Sequence, residues 1–124
     1  MTKHILIVDD SASIRQMVEV TLKSAKYQVT TARDGQEALE ALIDQKYDIA
    51  LLDINTPIMS GIEVLKTIRT EYKNNTPAII VTAYQDTKHL KESFENGVDD
   101  YIKKPFDLEE LDQRILKLCR QFLI

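Results

Sequence analysis

Four short apolar runs each end in a reactive polar residue, and this most limits what the chain can fold into. Ile5-Leu6-Ile7-Val8 ends in Asp9-Asp10, Ile49-Ala50-Leu51-Leu52 in Asp53, Ala78-Ile79-Ile80-Val81 in Thr82, and a fourth, shorter run in Lys104-Pro105. Amphipathic segments separate the runs, which is the alternation of a parallel α/β sheet with helical crossovers. In an open sheet of this kind ligands bind at the carboxyl ends of the strands. The pattern therefore gathers three carboxylates, a hydroxyl and an ammonium at one edge. The expected product is an acidic pocket that holds a hard divalent cation and acts on phosphate.

Strands are read near 4–9, 28–32, 48–53, 78–82 and 99–103, and helices near 12–26, 35–46, 61–72, 87–96 and 108–122. Ile14, Met17, Val18, Leu22 and Ala25 form one helical stripe, as do Leu108, Leu111, Ile115, Leu118 and Phe122. Asp34 with Glu37, Ser60 with Glu63 and Asp107 with Glu110 have the spacing of helix caps. The runs at 5, 49 and 78 are continuously apolar, as expected of strands covered on both faces; those at 28 and 99 suit edges. Right-handed crossovers then give the order 2-1-3-4-5, a doubly wound, flavodoxin-like (βα)5 sandwich whose switch point lies beside Asp9, Asp10 and Asp53. The fourth helix offers only Leu90 and Phe94 as large apolar residues, which marks it as weakly held.

The 124 residues suit one domain, without a linker or repeat, spanning 1–124. A net charge of −4 argues against nucleic-acid binding. No apolar stretch approaches the roughly 20 residues that span a bilayer, and no signal peptide is visible. Cys119, the single cysteine, cannot form an internal disulfide; it is read as a small buried hydrophobe in a reducing cytoplasm.

Taken singly, each site residue has an ordinary role. Asp9 and Asp10 suit a helix start, Asp53 a turn, Thr82 a strand and Lys104 a solvated surface. Together they are costly, since two unit charges about 4 Å apart repel by roughly 4 kcal/mol at an effective dielectric near 20. Lys104 offsets one charge and a cation the rest. All-oxygen ligation with few carboxylates suits Mg²⁺.

The quartet Val8-Asp9-Asp10-Ser11, the stretch from Asp53-Ile54-Asn55-Thr56-Pro57 to Met59-Ser60-Gly61, Val81-Thr82-Ala83, and Tyr101-Ile102-Lys103-Lys104-Pro105-Phe106 carry a resemblance. In that order, at strand ends, they resemble the receiver domain of two-component response regulators over essentially the whole chain. The resemblance implies that Asp53 accepts a phosphoryl group from a phosphohistidine of a sensor kinase or phosphotransfer protein. It implies Mg²⁺ held by Asp10, Asp53 and the Asn55 carbonyl, with Asp9 acting through water. It further implies that Lys104 pairs with Asp53, that Thr82 binds the phosphoryl group while Tyr101 changes rotamer, and that the Lys104–Pro105 bond is cis. Tyr84, two residues after Thr82, is expected to screen the acyl phosphate from water. The output is then a changed surface for a downstream protein rather than a released product, so the chain is not expected to be an enzyme.

The opening Asp-Asp-Ser and the Asp53-Ile54-Asn55 triplet are similar to single-domain chemotaxis regulators. Gly97 to Ile102 with Glu110 and Arg114 is similar to receivers of winged-helix transcription factors, which dimerise through this face. Leu90, Lys91 and Asp112 depart from the contacts usual there. Two alternatives follow: the receiver part of a longer DNA-binding or enzymatic regulator, or an Asp-nucleophile phosphatase of the haloacid-dehalogenase type. The latter wants an acid where Asn55 stands.

Overall fold

The computed structural model describes residues 2–83 and 87–121. Tyr84 and Phe122, singled out above, lie outside the described residues. The elements alternate as β1 (His4–Val8), α1 (Ala12–Ser24), β2 (Gln28–Ala32), α2 (Gly35–Asp44), β3 (Ile49–Asp53), α3 (Gly61–Thr70), β4 (Ala78–Ala83), α4 (Thr87–Glu95), β5 (Asp100–Lys104) and α5 (Leu108–Gln121). The strands form one parallel sheet in the expected order β2-β1-β3-β4-β5.

Period-two alternation sends each central strand into two cores. Leu6, Val8, Ala50, Leu52, Ala78 and Ile80 face α2 and α3, where Leu39, Leu42, Val64, Leu65 and Ile68 meet them. Ile5, Ile7, Ile49, Leu51, Ile79 and Val81 face α1 and α5, against Val18, Leu22, Leu111, Ile115 and Leu118. Burying each valine, leucine or isoleucine among them contributes roughly 1.5–3 kcal/mol, so the three central strands anchor the sheet edge on which the site stands.

The caps read from spacing are made. Asp34, Ser60 and Asp107 accept from the backbone N–H of Glu37, Glu63 and Glu110 at 2.8, 3.2 and 2.7 Å. Ser11 does the same for Ile14 at 3.4 Å.

Several expectations need correction. α1 ends at Ser24 and α3 at Thr70, earlier than their periodicity suggests. Lys26 (φ 74°) and Lys73 (φ 51°) turn left-handed. Tyr27 N–H then reaches back five residues to Leu22 O at 3.0 Å, and Asn74 N–H six residues to Ile68 O at 2.8 Å, closing each helix. On α1 only the row Ile14, Val18 and Leu22 meets the core; Met17 is 47% exposed and Ala25 lies past the helix end. On α4 the deeply buried residue is Ser93, whose hydroxyl donates to His89 O at 2.8 Å, while Phe94 is 49% exposed. A small residue lets the helix sit close, and Phe94 instead lies edge-on to Tyr101, ring centroids 5.9 Å apart. Cys119 is half-buried against the α1–α5 core rather than fully enclosed.

Beyond α4 the chain is clamped. Arg69 of α3 donates to Asn74 O (2.9 Å), Gly97 O (3.2 Å) and Asp99 Oδ2 (3.3 Å). Asp99 Oδ2 also accepts from Ala78 N–H at 2.9 Å, tying the starts of β4 and β5 to one guanidinium. No helix among the described residues is long and apolar enough to cross a membrane.

Candidate functional site

β1 and β3 are neighbours with Val8 opposite Leu52, so the next residues, Asp9 and Asp53, leave the sheet side by side. Both are 4% exposed, whereas Asp10, one residue further out, is exposed. One carboxylate oxygen from each of Asp9, Asp10 and Asp53 lies within 4.8 Å of the others. The acidic cluster can hold a metal ion.

Lys104 comes from the far edge. It ends β5, opposite Ala83 of β4, and its ammonium spans the crevice to reach Asp53 Oδ2 at 2.9 Å and Asp9 Oδ2 at 3.2 Å. The peptide bond that follows, Lys104–Pro105, is cis. The other oxygen of each buried aspartate is held locally. Asp9 Oδ1 accepts from Ser11 N–H at 2.9 Å and Asp53 Oδ1 from Asn55 N–H at 3.1 Å. Burial pushes the Asp53 carboxyl above its ordinary range, and the Lys104 hydrogen bond only partly offsets this. Burial pulls Lys104 down, but the hydrogen bond and charge of Asp53, with the charge of Asp9, outweigh it and hold the ammonium above its usual value.

Thr82 is buried at the end of β4. Tyr101 stands on the neighbouring strand opposite Ile80, half-buried, with the Arg114 guanidinium 5.5 Å from its ring centroid. Arg114 also pairs with Asp100 at 2.8 Å and Glu110 at 3.5 Å, so the ionic set noted in the sequence is joined within one chain. Asn55 is exposed at the mouth of the crevice.

Sequence reasoning missed what supports these residues. Arg15, one turn into α1, donates to the Asp9 backbone carbonyl at 2.7 Å. Gly61 packs so closely on the Asp53 carbonyl that a Cβ there would collide with it, and a Cβ on Gly35 would strike the Met59 carbonyl. Thr56 is buried, its hydroxyl donating to Met59 O at 2.7 Å. Ile58 has φ of 70°, an unfavourable conformation for a β-branched residue that costs on the order of 1–3 kcal/mol. Gly61, inside the Met59-Ser60-Gly61 motif, was a visible signal; nothing local announces the other four.

The family profile of the response regulator receiver domain matches residues 5–116. The chain belongs to that family. The receiver is 39% identical over 115 residues to the transcriptional regulatory protein CrdR of Helicobacter pylori, covering 93% of this chain and 54% of that protein. It is 39% identical over 118 residues to the response regulator ArlR of Staphylococcus aureus, covering 95% and 53%. The receiver thus spans about half the length of the curated relatives it matches. Among solved structures it is similar to the chemotaxis protein CheY4 of Vibrio cholerae, with a TM-score of 0.88 and 35% identity over 95% of this chain and 99% of that one. The receiver domain of the Francisella response regulator 1452 gives a TM-score of 0.90 and 33% identity, covering 98% of this chain and 99% of that one. The fold and the receiver class expected from the motifs are therefore correct.

Proposed function

We propose that residues 1–124 form one receiver domain that takes a phosphoryl group on Asp53 from a histidine kinase or phosphotransfer protein and presents a changed surface to a downstream protein. The observation that carries this is the buried Asp53 carboxylate, held at 2.9 Å by Lys104 and within 4.8 Å of the Asp9 and Asp10 oxygens. A carboxylate with one oxygen steadied by a backbone N–H and the other by an ammonium is oriented for in-line attack on phosphorus. The Asp53 oxygen forms the new O–P bond, the N–P bond to the donor histidine breaks, and the imidazole leaves with the electron pair. Such transfer needs positioning and charge neutralisation more than covalent chemistry.

The donor set is all oxygen, and three carboxylates facing the single ammonium of Lys104 leave two negative charges unbalanced, which fits Mg²⁺. Asp10, Asp53 and the Asn55 carbonyl would hold it directly and Asp9 through water, and when bound it neutralises charge on the phosphoryl oxygens. Lys104 follows the charge from Asp53 to the phosphoryl group. The Thr82 hydroxyl donates to a phosphoryl oxygen, and Tyr101, now between Phe94 and Arg114, is the ring that turns. The setting is the cytoplasm, and the output is a surface rather than a product.

Acetyl phosphate with Mg²⁺ should add one phosphoryl mass to the protein and none to Asp53→Asn. A comparable gain in the variant overturns the assignment. A second reading, the receiver half of a longer regulator, is favoured by the twofold length of CrdR and ArlR. The mass of the protein captured from its source cells separates the two.

A further inference from the structure

The loop between β3 and α3 holds an exposed apolar residue in a conformation that residue resists. Met59 N–H donates to Pro57 O at 2.8 Å across Ile58, whose φ is 70°. This is a γ-turn of the rarer, strained hand. Ile58 is 80% exposed, so its own packing does not hold the turn. Gly35 N–H donates to Pro57 O at 3.3 Å and Gly61 N–H to Ile54 O at 3.2 Å, both from backbone. The side-chain contribution is Thr56, 7% exposed, whose hydroxyl donates to Met59 O at 2.7 Å. Thr56 directly follows Asn55, and the Asn55 carbonyl belongs to the peptide unit that Thr56 N completes. A buried hydroxyl, a strained turn and a proposed ion ligand thus share five consecutive residues, Asn55 to Met59.

We propose that Thr56 is a positioning residue: its hydroxyl latches the strained turn and so fixes the Asn55 carbonyl toward the Asp10 and Asp53 carboxylates. This rests on the reading of the acidic cluster as a divalent-cation site. The latch acts through backbone direction and touches neither ion nor phosphate. Without it, the strain at Ile58 relaxes back through Pro57 and Thr56 into the Asn55–Thr56 peptide unit, and the carbonyl swings away. Glycine at 58 adopts the same φ without strain, so it removes the need for the latch. A merely structural hydroxyl would lower stability when lost and leave ion affinity alone.

The test is Mn²⁺ binding to the full chain, followed by the electron paramagnetic resonance signal of the free ion, with no phosphodonor present. Thr56→Val should weaken binding about 10-fold, as loss of a ligand-orienting contact does, with Thr56→Ser staying within about threefold of wild type. Thr56→Val/Ile58→Gly should recover most of the affinity, and this variant carries the test if Thr56→Val alone does not fold. Wild type that fails to bind Mn²⁺ overturns the cation site itself. Wild type that binds, with Thr56→Val binding equally well, overturns the latch alone. A double variant as weak as Thr56→Val overturns the strain argument on which the latch depends.

Discussion

The Lys104 ammonium donates to Asp53 Oδ2 at 2.9 Å across 51 residues of chain, joining the end of an edge strand to the end of the central one. The same ammonium reaches Asp9 at 3.2 Å. One cation therefore serves two buried carboxylates, with a third, exposed one beside them. That imbalance sets how the site responds to metal, to pH and to substitution.

Removing the cation should be costly without metal. Lys104→Ala leaves Asp9 and Asp53 buried and uncompensated. In EDTA its urea stability should fall by about 3 kcal/mol, the low end for breaking a buried pair because Lys104 keeps 30% of its side chain exposed. Mg²⁺ should restore more stability to this variant than it adds to wild type. Equal gains would mean the two carboxylates do not share the ion.

Mg²⁺ should raise the melting temperature of the wild-type protein. An ion that binds only the folded state at about 100 times its dissociation constant adds about 2.7 kcal/mol, a shift of several degrees. Asp10→Ala, which removes the exposed carboxylate, should lose most of that shift. A shift of the same size in the variant would place the ion elsewhere.

Asp53 gives the pH dependence its sign. Burial raises its folded pKa above the unfolded one, so the folded state favours the neutral acid. The penalty appears as pH rises through the unfolded value and is complete above the folded value. In EDTA at pH 7.5, Asp53→Asn should therefore melt higher than wild type. At pH values below the ordinary carboxyl range both states of wild type are protonated and the gain should vanish. A gain that is constant with pH would reflect packing instead of charge.

Arg69 should be a structural clamp independent of the site. Its side chain is 14% exposed and serves Asn74, Gly97 and Asp99 at once. Arg69→Ala should lower urea stability by about 2–3 kcal/mol, the scale of lost hydrogen bonds to a charged group. Arg69→Lys should recover little, because an ammonium lacks the planar fork. Phosphorylation of Asp53 by acetyl phosphate should survive both changes under conditions where the variants stay folded.

Apolar runs and their terminal residues carried a large part of the fold because burial acts on each strand locally. Ile5 to Val8, Ile49 to Leu52 and Ala78 to Val81 are covered on both faces, and their lack of polar alternation announced it. The helix starts were legible for the same reason: Asp34, Ser60 and Asp107 cap residues only three positions on. The helix ends were not. Lys26 and Lys73 take the left-handed conformation usually left to glycine, and a lysine carries no stop signal.

What the sequence by itself determined was the strand order, the edge at which Asp9, Asp10, Asp53, Thr82 and Lys104 collect, and the family that those residues mark. Only the tertiary structure decided that Asp9 is buried while Asp10 is exposed, that Ser93 rather than Phe94 seats α4, and that Thr56 and Gly35 brace a turn at Ile58. The physical reason is range. Strand and cap signals are read within a few residues, where period and hydrogen-bond reach are set by the backbone. Burial of one aspartate over its neighbour, or a left-handed isoleucine, depends on contacts such as Lys104 to Asp9, 95 residues apart, which exist only once the sheet has closed.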